Sequence, residues 1–232
     1  MDADAAHWLA GVLHASDTFY PTGAYAHSFG LEGLAHEGVV HDRASLRLFL
    51  LEGVLPPLAR TDLPIAGWAW DAAGEPPDLA RLRGLCLLAS SMRGAREPRE
   101  ASEAIGRQRL DLAAMLHGGV ARVVNERAVA EGWPRPACVA AALEGRVLGA
   151  PREAVMVGLV YAAVAGMVAA AVKLLRLGQN AVHTLLAEVL AATPRLLAEA
   201  ARCTPDDLGA FNPWWDIAAA RHERADFRLF IS

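Results

Sequence analysis

Lysine is almost missing from this chain: Lys173 stands alone, and every other basic residue is an arginine. A phosphate-cradling G-x-x-x-x-G-K-[ST] loop needs a lysine at the end of a glycine-rich turn, whereas Lys173 sits in AAAVKLL, so the chain is not a P-loop enzyme by itself. Cysteine is nearly as scarce. Cys86, Cys138 and Cys203 are odd in number, far apart and free of any C-x-x-C pair, which argues against a disulfide framework, a redox pair or a zinc site. Buried free thiols in a reducing compartment are the expectation. An excess of positive charge is also lacking. Lys+Arg number 22 against Asp+Glu 26, a net charge of -4, so the field that drives binding to a phosphate backbone is absent and nucleic acid is not an expected partner. The opening MDADAAHWLAG is acidic where a signal peptide is basic and has too short an apolar run, which predicts a cytoplasmic protein. Alternation of β-branched residues at period two is nearly absent, and with it the case for a sheet.

Motifs for chemistry are missing too. Ala26-His27-Ser28-Phe29-Gly30 lacks the first glycine of a G-x-S-x-G nucleophile elbow. His36 and His41 lie five residues apart, about 140° around a helix of 3.6 residues per turn, with Gly38 between them, so they do not share a metal-binding face. His222-Glu223 has the same flavour with a single histidine. No catalytic residue, metal site or cofactor is therefore expected. A small helical metal-dependent hydrolase built on His27, His36 and Glu37 stands as the rival class.

What the chain does have is apolar and helical material: 232 residues, 54% of them hydrophobic, enough for one domain with a sizeable core. Runs of Ala, Leu, Arg and Glu at helical spacing alternate with Gly/Pro breaks, which predicts an all-α bundle of eight to ten helices. The segment Ala154 to Val172 is uncharged and roughly as long as a membrane span. Alanine and glycine dominate it, however, and Arg152, Lys173 and Arg176 flank both ends, so a central helix buried on all sides is expected rather than a span. Gly158, Ala162, Gly166 and Ala170 recur every fourth residue and make a flat stripe for close helix packing. Lys173 at the end of this segment reads either as a functional cation or as one favoured by the helix dipole, with its stem reaching to water.

Helices are predicted over 3–14, 28–37 with Gly38 beyond the end, and from a cap at Asp42 or Ser45 to the Pro56-Pro57 pair, which kinks or ends the third. Asp78 caps the next after a loop at 71–78, and Pro98 falls in the first turn of a long helix ending before Gly118-Gly119. Residues 131–138 read as a linker. Pro151 opens the apolar helix, Gly178 ends it, and helices over 179–192, 194–203 and 213–224 follow. Pro21 and Gly23 define a turn that presents Tyr20, Tyr25 and His27, either to order helix packing or to meet a partner. The last residues, 225–232, hold Phe227, Arg228, Leu229 and Phe230, the arginine-plus-aromatic composition of interface hot spots. That tail either binds a partner, leaving 1–224 as the helical domain, or packs on its own chain. Trp214 and Trp215 are equally open, as buried anchors or contact residues.

Three stretches together resemble one family. SDTFYPTGAYAHSFGLEGLAHEG at 16–38 is similar to the N-terminal signature of UreF proteins, AVKLLRLGQ at 171–179 to their Val-Lys-Leu…Gly-Gln segment, and ARHERADFRLFIS at 220–232 to their closing Arg-His-Glu…Arg-Leu-Phe-x-Ser. Asp226 and Ile231 depart from the usual tail. The resemblance implies a non-enzymatic, all-α homodimer that binds the accessory protein UreD (UreH in some systems) and so recruits the GTPase UreG to apo-urease for nickel insertion. By the same matching Arg221, His222, Glu223, Arg228, Leu229 and Phe230 fall on the partner-binding segment, and Lys173 and Gln179 on the other shared motif. A generic helical adaptor unrelated to urease is the remaining alternative.

Overall fold

A computed structural model of the chain describes residues 3–210, 212–222 and 228–231, and among these residues there are helices, turns and loops but no strand. The helices are α1 (Ala3–Ser16), α2 (Leu31–His36), α3 (Arg43–Leu48), α4 (Leu55–Arg60), α5 (Asp62–Ala72), α6 (Leu79–Ser91), α7 (Arg96–Leu116), α8 (Gly119–Glu131), α9 (Ala137–Val147), α10 (Arg152–Leu175), α11 (Gln179–Leu190), α12 (Thr193–Arg202) and α13 (Pro213–His222). Several are segments of one rod. α3 runs into α4 through a π-helical turn at Phe49–Val54, α5 follows after Thr61, and α12 follows α11 after two residues.

Local chemistry sets most of the boundaries. Asp42 accepts the Ser45 N–H at 2.8 Å while Ser45 Oγ accepts the Asp42 N–H at 3.0 Å, a reciprocal box that opens α3. Asp78 accepts the Arg81 N–H at 2.9 Å and opens α6. Gly118 and Gly119, at φ 69° and 53°, stop α7. Of the two outcomes expected at Pro56-Pro57, a kink or an end to the third helix, the pair does not end it: the prolines fall in the first turn of α4, where the missing N–H groups cost least, and the wider π turn before them takes up the mismatch. The linker expected at 131–138 is shorter, with Glu131 still in α8 and Ala137 already in α9.

Two large apolar clusters make the core. One joins residues of α2–α5 and α10–α13, and the other joins α5–α9, with Leu159 of α10 packed against both. α10 is long and apolar enough to cross a bilayer, as is the 179–202 stretch, yet half of its most apolar window is buried inside the protein, as in a core helix. It is not buried on all sides, because Val157 and Tyr161 reach the surface. The small-residue stripe is used unevenly: a Cβ on Gly158 would lie 2.8 Å from Ser16 Oγ of α1 and Ala170 is buried in the first core cluster, whereas nothing lies within 4 Å of a Cβ placed on Gly166. α9 is covered more completely, from Cys138 through Gly145. Cys86 and Cys138 are buried free thiols, and burial pushes the Cys86 thiol up to about 12. Cys203 departs from expectation in being part-exposed on the short loop after α12.

Candidate functional site

The segment Ser28–Gly33 is shaped to receive the C-terminus. Phe29 and Gly30 turn with φ of 52° and 84°, and this turn aims the Phe29 carbonyl at Trp215 of α13, whose Nε1–H donates to it at 2.5 Å. A Cβ on Gly30 would meet that indole nitrogen at 2.8 Å, and one on Gly33 would meet the Ala218 carbonyl oxygen at 2.8 Å, so both positions need glycine for α13 to lie against α2. Trp215 also stands edge-on to Phe49, 5.7 Å between ring centres, while Trp214 is exposed. The pair thus divides between anchor and surface.

Between these glycines lies Glu32, fully buried. Its carboxylate accepts the backbone N–H of Leu229 at 2.8 Å and of Phe230 at 3.1 Å, and His36 Nε2 is 3.9 Å away. The segment is pinned at both ends: Ile231 N–H donates to the Ala26 carbonyl at 2.8 Å, and Arg228 donates to Glu97 of α7 at 2.9 Å. The Phe230 ring is buried at 6% exposure with Lys173 Nζ 5.3 Å from its centre, and Leu229 is 65% exposed. Beside them a groove of about 400 Å³ is lined by His36, His41, Lys173, Arg176, Leu175 and Leu229, with Arg176 ending α10 at a φ of 51°. Neither Lys173 nor Arg176 has a carboxylate partner among the described residues, so the rim is basic.

The structure therefore brings together residues from all three sequence stretches. Phe230 differs from an aromatic held out for a partner, because the core cluster around α2 and α10 has room for its ring. Leu229 and Arg228 stay at the surface, as does Arg221, whose guanidinium donates to Glu37 at 2.8 Å. Glu223 and Phe227 lie outside the described residues, as does the side chain of His222. Gln179 opens α11 at the surface.

The turn at 19–25 splits as well. Tyr25 is exposed, but Tyr20 and His27 are buried. Burial lowers the His27 pKa, partly offset by the Glu97 carboxylate. The Tyr20 hydroxyl donates to Glu144, a carboxylate 1% exposed on α9, and Arg109 Nε of α7 donates to the other oxygen at 2.6 Å. Burial and the neighbouring Glu144 raise the Tyr20 pKa. No spacing in the sequence signals this cluster, since Tyr20 and Glu144 are 124 residues apart. Among the described residues no three His, Cys, Asp or Glu side chains gather as a metal site.

Comparison with known proteins decides the family, since the UreF sequence model matches residues 40–190, well over half of the chain. The chain belongs to the UreF family. Alignments to individual relatives extend this UreF match over the N-terminal stretch and the tail. The urease accessory protein UreF of Bordetella parapertussis is 33% identical over 95% of this chain and 100% of its own length, and that of an Arthrobacter species 32% identical over 99% and 100%. The bifunctional urease accessory protein UreEF of Bordetella bronchiseptica is 34% identical over 97% of this chain, which spans only 52% of that longer protein. By family this is a urease accessory protein.

Proposed function

We propose that this UreF-family protein is a non-catalytic, cytoplasmic assembly factor that works as a homodimer. With UreD/UreH it recruits the GTPase UreG to apo-urease for nickel insertion, and it holds no cofactor of its own. Residues 1–224 act as the scaffold and 225–232 as the contact segment, with Lys173, Gln179, Tyr25 and Arg221 extending the contact surface. The observation that carries this reading is convergence. The loop before α2, the end of α10 and the C-terminal segment are distant in sequence, yet they meet around Phe230 and leave Leu229, Arg228 and a basic groove facing outward. An exposed leucine and arginine beside a basic rim form the kind of surface that a partner buries. The fusion named in one relative supports action beside other urease accessory proteins. A hydrolase built on His27, His36 and Glu37 has less support, since His27 is buried and Glu37 is engaged by Arg221.

The test changes only surface groups. Leu229→Ala with Ile231→Ala, two side chains 65% exposed whose residues are held through the main chain, should leave helicity and thermal midpoint nearly unchanged and weaken co-purification with UreD by about thirty-fold or more, the effect of about 2 kcal/mol at a hot spot. Normal UreD binding by that variant would remove the C-terminal segment from the interface.

A further inference from the structure

Two backbone N–H groups from consecutive residues rarely reach one acceptor, because in extended chain they point to opposite sides. At Leu229-Phe230 the chain bends, and both N–H groups turn to the two oxygens of Glu32. The grip is on the main chain and is charge-assisted, so it is stronger than a neutral hydrogen bond and indifferent to which side chains follow. What it does select is register. With the amides of 229 and 230 held, Phe230 points into the core under Lys173 and Leu229 points out along the groove. A slip of one residue would exchange the two.

We propose that Glu32 is the positioning residue of the C-terminal segment: by holding the amides of Leu229 and Phe230 it sets the segment's register, and with it the outer wall of the groove beside Lys173. The inference rests on the reading above that this segment meets the partner. It links two features that lie apart in sequence, because lifting the segment off Glu32 removes the Leu229 wall and the ring beneath Lys173 in one step. Of the neighbouring contacts, Arg228 with Glu97 tethers one end and the main-chain bond of Ile231 to Ala26 supports the same register at the other, while the direction of the 229 and 230 amides is set by Glu32.

Hydrogen exchange tests this without any partner. In Glu32→Gln, which keeps the shape and loses the charge, the Leu229 and Phe230 amides should exchange at least tenfold faster while the amides of α9 keep their protection. UreD affinity should fall about tenfold in the same variant. In a chain lacking 227–232, the glutamine should change UreD affinity no further. Unaltered exchange at both amides would overturn the proposal, as would a glutamine effect that persists in full in the shortened chain. Should Glu32→Ala fail to fold, Glu32→Gln still decides. If the unaltered chain never binds UreD, the functional reading falls, and amide exchange alone settles whether Glu32 positions the segment.

Discussion

Gly106→Ala is expected to destabilise the protein by about 3 kcal/mol or more, a drop of roughly 6–12 °C in thermal midpoint for a domain of this size. A Cβ at Gly106 would lie 2.0 Å from the Arg135 carbonyl oxygen, 2.6 Å from the Pro136 carbonyl carbon and 2.7 Å from the Ala137 nitrogen. All three are backbone atoms in the turn that opens α9, so no side chain can swing aside. Helices α7 and α9 would have to separate, and the second core cluster lies between them. Overpacking of ordinary cores costs about 1–3 kcal/mol, and a clash with fixed main chain belongs at or beyond the top of that range. Gly166→Ala is the control: nothing lies within 4 Å of its Cβ position, and alanine in a helix interior should raise stability by about 0.4–1 kcal/mol. Thermal melts of the two variants check both signs. A midpoint for Gly106→Ala within about two degrees of the unaltered chain would mean that the α7–α9 contact can open enough to admit a methyl group.

Features whose cause lies within a few residues are legible in the sequence, and those whose cause lies across the fold are not. Asp42, Asp78 and Gly118 mark helix ends because a cap or a left-handed turn is a local event. The apolar run of α10 stands out by length. α9 does not, although it is the more deeply covered of the two, because its Ala-rich sequence has no strong amphipathic stripe and it follows a proline pair that reads as linker. At the site, the three stretches can be singled out by type, but not that they touch. Phe230 shows why: whether a terminal aromatic is free or buried depends on Glu32, 198 residues away, on the space under Lys173, and on glycines at 30 and 33 that admit α13. Tyr20 is a similar case. Its turn is legible from Pro21 and Gly23, but the partner that pulls it inward sits on a helix the sequence does not reveal.

Arg109→Leu is expected to cost about 3–5 kcal/mol, the penalty for removing one partner of a buried ion pair. It would leave Glu144, 1% exposed, with the Tyr20 hydroxyl but without the guanidinium that donates at 2.6 Å. Urea unfolding should show the loss as a lower midpoint with an unchanged slope. Arg109→Leu combined with Glu144→Leu and Tyr20→Phe, which leaves no buried phenol without its acceptor, should recover most of it, because apolar groups of similar volume often replace a buried pair at little cost. If that triple variant is as unstable as Arg109→Leu alone, the lost interaction is packing of the arginine stem rather than charge. The same cluster predicts an alkaline limb. Burial first, then the charge of Glu144 and its hydrogen bond, raise the folded Tyr20 pKa above the ordinary 10.0, so folding favours the neutral phenol. For a group whose folded value is raised, the contribution is complete below the unfolded value and is lost as pH rises through the folded one. Stability should therefore decline above about pH 10, and Tyr20→Phe, which keeps the ring but has nothing to ionise, should flatten that decline while lowering stability at neutral pH. Identical alkaline limbs in the two proteins would show that Tyr20 ionises without reference to Glu144. Since Tyr20 ties down the turn that exposes Tyr25, loss of this cluster should also loosen that part of the proposed partner surface before the rest of the fold gives way.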